Sequence, residues 1–128
     1  MASFVFDNAI KNMMEADISW EDDTIKVALH KGVTADPANF ARGADETVSD
    51  TTYTALTDGS YTGPIALTTK TETVESGNKI KLDAANVTWS SLAGGETITG
   101  ALIYKDADSA ASAPASGDLV LAFIDLAD

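Results

Sequence analysis

The sequence predicts a mostly β fold, an antiparallel β-sandwich or barrel-like domain with a short N-terminal helix. Three observations predict it. From residue 24 onward apolar residues alternate with polar ones at a period of two. Thr and Val recur throughout, and the short candidate strands are separated by turns carrying Gly, Asn, Asp and Pro. Many short strands joined in this way belong to antiparallel sheets, packed face to face or closed on themselves.

The elements follow in order. Asp7 is placed to cap a short helix whose apolar positions Ile10, Met13 and Met14 follow the i, i+3, i+4 spacing. Phe6, just before the cap, is expected to staple onto that face. In residues 24–31, Ile25, Val27 and Leu29 alternate with Lys26, Ala28 and His30, the pattern of a half-buried strand with His30 on its solvent face. Residues 32–47 read as a long loop that Phe40 pins to the body. Ile65 and Leu67 begin a strand expected to continue through residues 68–74. A tight turn at Gly77-Asn78 then returns the chain into a strand where Ile80 and Leu82 alternate with Lys79 and Lys81. Val87 and Trp89 suggest another short strand, and residues 97–105 a longer one. Residues 106–117 are small and polar and read as an exposed loop. Residues 119–126 close the chain as an apolar run without alternation, which predicts burial on both faces. The division expected is a single β-rich domain over 1–128, with 1–23 an N-terminal arm and 24–128 the β body.

Composition narrows the function. At 128 residues, 45% hydrophobic and 22% charged, the chain has the profile of one folded domain rather than a disordered tail. Its formal net charge of −12 repels phosphate backbones and anionic lipid, and its lysines form no basic patch. No nucleic-acid or membrane partner is therefore expected. The N-terminus lacks the basic region and long apolar run of a secretory signal, which points to a chain made and kept soluble in a cytoplasm.

Catalytic inventory is thin. With no cysteine and one histidine, thiol nucleophiles, Cys-ligated zinc and a three-histidine zinc site cannot be built, and a Ser-His-Asp triad has only His30 to draw on. Carboxylates abound, but a glycosidase pair needs aromatic sugar platforms, and only Trp20 and Trp89 offer large indole faces. Glu21-Asp22-Asp23 and the Asp106/Asp108 pair have oxygen ligands suited to calcium, yet EF-hand spacing is missing and both read as solvated turns. No catalytic residue, metal or cofactor is expected.

Several segments, taken in order, resemble a family of small virion structural proteins of tailed bacteriophages, the head decoration or cement type. Residues Asp17-Ile18-Ser19-Trp20 followed by Asp23-Thr24-Ile25-Lys26-Val27-Ala28-Leu29 resemble that family's short helix leading into a "dTIKVAL" strand. Ser60-Tyr61-Thr62-Gly63-Pro64-Ile65-Ala66-Leu67 is similar to its Gly-Tyr-Thr turn. Asp83-Ala84-Ala85-Asn86-Val87-Thr88-Trp89 resembles a "D-A-x-x-V-T-W" segment. Ile98-Thr99-Gly100-Ala101-Leu102-Ile103-Tyr104 and Leu121-Ala122-Phe123-Ile124-Asp125 are similar to the strands that follow. The loops at 32–57 and 106–117 depart from the pattern.

The resemblance implies a non-enzymatic virion component assembled in the host cytoplasm, with head decoration (cement) and tail or fibre attachment both open, and a capsid-surface location is the first expectation. It implies the major capsid protein as partner and a homotrimer as the bound form. The apolar residues expected at assembly interfaces are Phe4, Val5, Phe6, Phe40, Leu119, Leu121, Phe123 and Leu126. The competing expectation is a tail, baseplate or fibre module that recognises host glycan, for which Tyr53, Tyr61 and Phe40 are the available loop aromatics.

Overall fold

The computed structural model describes residues 3–32, 40–77, 79–108 and 113–126. Among these residues it is mostly β, with one short helix near the N-terminus, two antiparallel sheets and no closed barrel. The elements are β1 (Phe4–Val5), α1 (Asp7–Met14), β2 (Ile25–Lys31), β3 (Ile65–Ala66), β4 (Thr71–Glu75), β5 (Lys79–Asp83), β6 (Ile98–Lys105) and β7 (Leu119–Asp125). The larger sheet runs β1-β7-β6-β2-β3, and β4-β5 form a separate hairpin.

The large sheet is covered on both faces. Antiparallel pairing sets Val27 opposite Ile103 and Leu29 opposite Ala101, and Ala101 opposite Ile124. These side chains therefore share one face, packed under Leu56, Leu67, Val87, Trp89 and Leu92. The other face carries Ala28, His30, Leu102 and Phe123 by the same registers. Phe6, Ala9, Phe40 and Val48 cover Leu102 and Phe123 there. Two-sided cover corrects the half-buried reading of β2. His30 is fully buried, with its ring 5.2 Å from Phe40 and 5.8 Å from Phe123. Its Nδ1 accepts the Thr54 N–H at 3.0 Å. The unalternating run of β7 is correctly read as deep, since Val120, Leu121 and Phe123 are all buried beside β6. A bulge between Ile103 and Tyr104 shifts the β6–β7 register by one residue.

Gly100 belongs to this packing. A Cβ built there would lie 2.8 Å from Phe123 Cε1, so the aromatic ring occupies the volume a side chain would need. Fully burying a ring like Phe123 is worth about 1.5–3 kcal/mol.

The N-terminal arm is part of this sheet rather than a free extension, since Phe4 pairs with Phe123 and Val5 with Ala122. Helix α1 also departs from expectation. Its N-cap is Phe6, without a side-chain cap, and Asp7 is the first helical residue. The Asp7 N–H goes to the Arg42 carbonyl at 2.9 Å, while its carboxylate accepts from Arg42 Nε at 3.0 Å. An acidic group there still favours the helix through its dipole. Phe6 does not staple onto the helix; it enters the core edge-on to Phe4, with centroids 5.0 Å apart. The helix buries Ala9 and Asn12, half-buries Met13, and leaves Ile10 and Met14 exposed.

Two strand expectations change. The strand predicted through residues 65–74 breaks into β3 and β4 of different sheets, with Thr69 between them at a φ of +51°. Val87 and Trp89 form no strand. They are held instead as a packed segment, with Trp89 Nε1 donating to the Gly63 carbonyl at 2.9 Å. Phe40 pins its loop as expected, being buried against Phe123 at 4.4 Å between centroids. Residues 33–39 of that loop, Asn78 of the predicted turn and residues 109–112 of the polar loop lie outside the described residues. The ends of the polar loop are not solvated. Asp106 and Asp118 are both buried, and Asp118 accepts the N–H groups of Ala107 at 2.9 Å and Ala115 at 2.8 Å.

Candidate functional site

Of the eight apolar residues expected at an interface, Phe6, Phe40, Leu121 and Phe123 are consumed by the chain's own core. Phe4 and Leu119 are half-buried against it. Only Val5, 47% exposed on edge strand β1, and Leu126, 48% exposed, present surface to a partner. Apolar character marks a residue that gains by leaving water; it does not say whether its own chain or another supplies the cover.

The structure assembles a different apolar surface. In the β4–β5 hairpin, Glu75 pairs with Lys79, Val74 with Ile80, Thr73 with Lys81, Glu72 with Leu82 and Thr71 with Asp83. One face thus carries Val74, Ile80, Leu82 and Glu72. The other carries Thr71, Thr73, Glu75, Lys79, Lys81 and Asp83. The apolar face is uncovered: Val74 is 82% exposed, Ile80 72% and Leu82 37%. A groove of about 480 Å³ separates it from α1, whose Ile10, Met13 and Met14 line the far wall and Ile18 the floor. Ile10 is 50% exposed and Met14 84%. Sequence reading assigned both to the packed side of the helix. The overlooked sign was in the hairpin, where apolar alternation faces a charged stripe but the element has only two strands, too few to bury either face.

The base of the hairpin is tied down by polar contacts. Trp20 Nε1 donates to the Asp83 carbonyl at 3.2 Å, and Glu21 Oε1 accepts the Glu72 N–H at 3.1 Å. The acidic run after Trp20 is also internally satisfied. Asp23 Oδ2 accepts from Ser19 N at 2.7 Å and pairs with Lys105 at 3.0 Å, and Lys70 donates to the Asp23 carbonyl. Burial pushes the Asp23 carboxyl up, but the Ser19 N–H and Lys105 outweigh it and hold it below the usual range. Among the described residues no group of three or more His, Cys, Asp or Glu is placed to hold a metal ion.

A second polar knot fastens the opposite end of the β2–β6 pair. Glu96 receives Lys31, Thr57 Oγ1 at 2.5 Å, Thr57 N at 2.7 Å and Asp58 N at 2.9 Å. Lys31 first, and Thr57 after it, lower the Glu96 carboxyl to about 2. The tyrosines considered for glycan contact serve the backbone instead. Tyr53 Oη donates to the Leu29 carbonyl at 3.0 Å, and Tyr61 Oη accepts the Leu29 N–H at 3.1 Å. Two hydroxyls thereby satisfy β2 beyond the point where β3 has ended. Burial raises the pKa of both phenols.

No helix among the described residues is long and apolar enough to cross a membrane. Comparison with family models, with curated proteins and with solved structures returns no match to this chain.

Proposed function

We propose that this chain is a non-enzymatic structural protein of a tailed-phage particle, a decoration (cement) protein that binds the outer surface of the major capsid shell as a homotrimer and stabilises it. The observation that carries this reading is the combination of a strongly acidic chain with one concentrated apolar surface, formed by Ile10, Met14, Val74, Ile80 and Leu82. Charge keeps free copies soluble and apart in bulk. An exposed apolar patch supplies the driving force for docking on a preformed surface. The ordered resemblance of the segments around Trp20, Trp89 and the last two strands supports the same class. A modest contact per copy suffices, because several linked contacts multiply the effective affinity.

The test is direct addition of purified protein to expanded capsid shells that lack it. Saturable co-sedimentation and a raised shell melting temperature are the expected results. Failure to bind, or localisation of the protein to tails on intact particles, would overturn the shell assignment.

A further inference from the structure

We infer that the β4–β5 hairpin is a self-association element, in which the β5 edge of one copy pairs head to tail with the β4 edge of a second copy. This deepens the oligomeric part of the reading above, and it does not need a shell.

Three observations carry it. First, β4 and β5 pair with each other and with no other strand among the described residues, so each has an outer edge without a neighbouring strand. Two strands alone are marginal in water, and a third and fourth make such a sheet stable. Second, the apolar row Val74, Ile80 and Leu82 lies open on one face. A neighbouring hairpin continues that row and narrows its exposure.

Third, the two edges are charge-complementary. Glu72 and Glu75 lie on β4, and Lys79 and Lys81 on β5, where Asp83 pairs with Lys81 at 2.9 Å and leaves Lys79 as the lysine that meets the acidic strand. Pairing β5 with a neighbour's β4 in the register used within the chain sets Lys79 against a second Glu75 and Ile80 against a second Val74. Each Lys79 is then flanked by carboxylates on both sides. Pairing β5 with β5 about Ile80 would oppose Lys79 to Lys81, and pairing β4 with β4 gives its glutamates no lysine partner, so charge favours the head-to-tail arrangement.

Backbone direction agrees. The Glu72 N–H points away from β5 to Glu21, so by alternation the Val74 N–H also points outward. In an antiparallel ladder, the pair that does not exchange hydrogen bonds on one side does so on the other. Val74 and Ile80 are that pair. Glu21 covers the β4 edge at its base and leaves the Val74 end open to the second copy. Edge lysines normally discourage such pairing; here they meet a matched acidic edge.

The experiment is mass measurement in solution on the full chain, with Val74→Pro and Ile80→Glu beside it. Proline at 74 removes only an outward N–H, so the hairpin itself is kept while the ladder to a neighbour is blocked. The expected result is a wild-type mass of at least two chains. Both variants should fall to one chain, with unchanged far-ultraviolet circular dichroism. A wild-type monomer up to millimolar concentration, or variants that keep the multi-chain mass, would overturn the proposal. Self-association without shell binding would sink the decoration role and leave this inference standing; shell binding by a strict monomer would do the reverse.

Discussion

His30 in β2 and Ile80 in β5 occupy the positions each would be assigned if the two were exchanged. Both sit in strands of strictly alternating pattern. The histidine is sealed among Phe40, Tyr53 and Phe123, while the isoleucine stands in water. The difference lies in what covers each strand. Strand β2 is inside a five-stranded sheet with packed segments on both faces, so even its polar side is enclosed. The hairpin has no sheet against it, so even its apolar side is open. Alternation sorts side chains onto two faces, and cover decides which faces are dry.

The sharpest way to break this contrast is at the centre of the covered sheet. Phe123→Ala should lower unfolding free energy by about 3–5 kcal/mol in urea titration. A loss near that of a surface residue would mean the sheet face is not sealed. Gly100→Ala forces a methyl into the same ring and should cost about 1–3 kcal/mol. Combining it with Phe123→Leu should recover part of that loss, because the two groups share one volume. Asp118→Ala removes the acceptor for two N–H groups at the ends of the polar loop and should cost about 1–3 kcal/mol.

The hairpin should behave oppositely. At concentrations low enough to hold the chain as a monomer, Ile80→Ser should change stability by no more than about 0.5 kcal/mol, since the side chain is hydrated there. A large loss would show that the hairpin is covered within the chain.

The smallest effect is electrostatic. Glu96 titrates near 2 when folded, below its ordinary 4.5, because Lys31 and Thr57 hold the charged form. The unfolded chain therefore binds the proton first as pH falls. The stabilisation is present above about 4.5 and is lost as pH descends toward 2. Glu96→Gln should flatten the acid limb of the stability curve in that window and leave its neutral-pH shape unchanged. A limb of undiminished slope would assign the acid sensitivity to other carboxylates.

Much of the fold is legible in the residues. The strands at residues 25–31, 98–105 and 119–125 follow from alternation or from a continuous apolar run, and the hairpin follows from its flanking alternation around Gly77. The anchoring of Phe40 follows from a lone large aromatic in a polar loop. The candidate surface was not legible in the same way. Phe6, Leu121 and Phe123 read as sticky, and they are, but for their own chain. Ile10 and Met14 fit a helical stripe, but the helix buries Ala9 and Asn12 beside the core residue Phe6 and leaves Ile10 and Met14 exposed. The break at Thr69 has no signal in a run of threonines that suits one long strand.

What the sequence by itself determined is the local periodicity, the absence of thiol chemistry and the acidic charge, since these depend only on residue type and spacing. Only the tertiary structure decided which apolar residues remain in water. Burial is a property of neighbours brought together by the fold: the rings that seal His30 come from Phe40, Tyr53 and Phe123, spread over most of the chain, and among the described residues no such segment reaches Ile80.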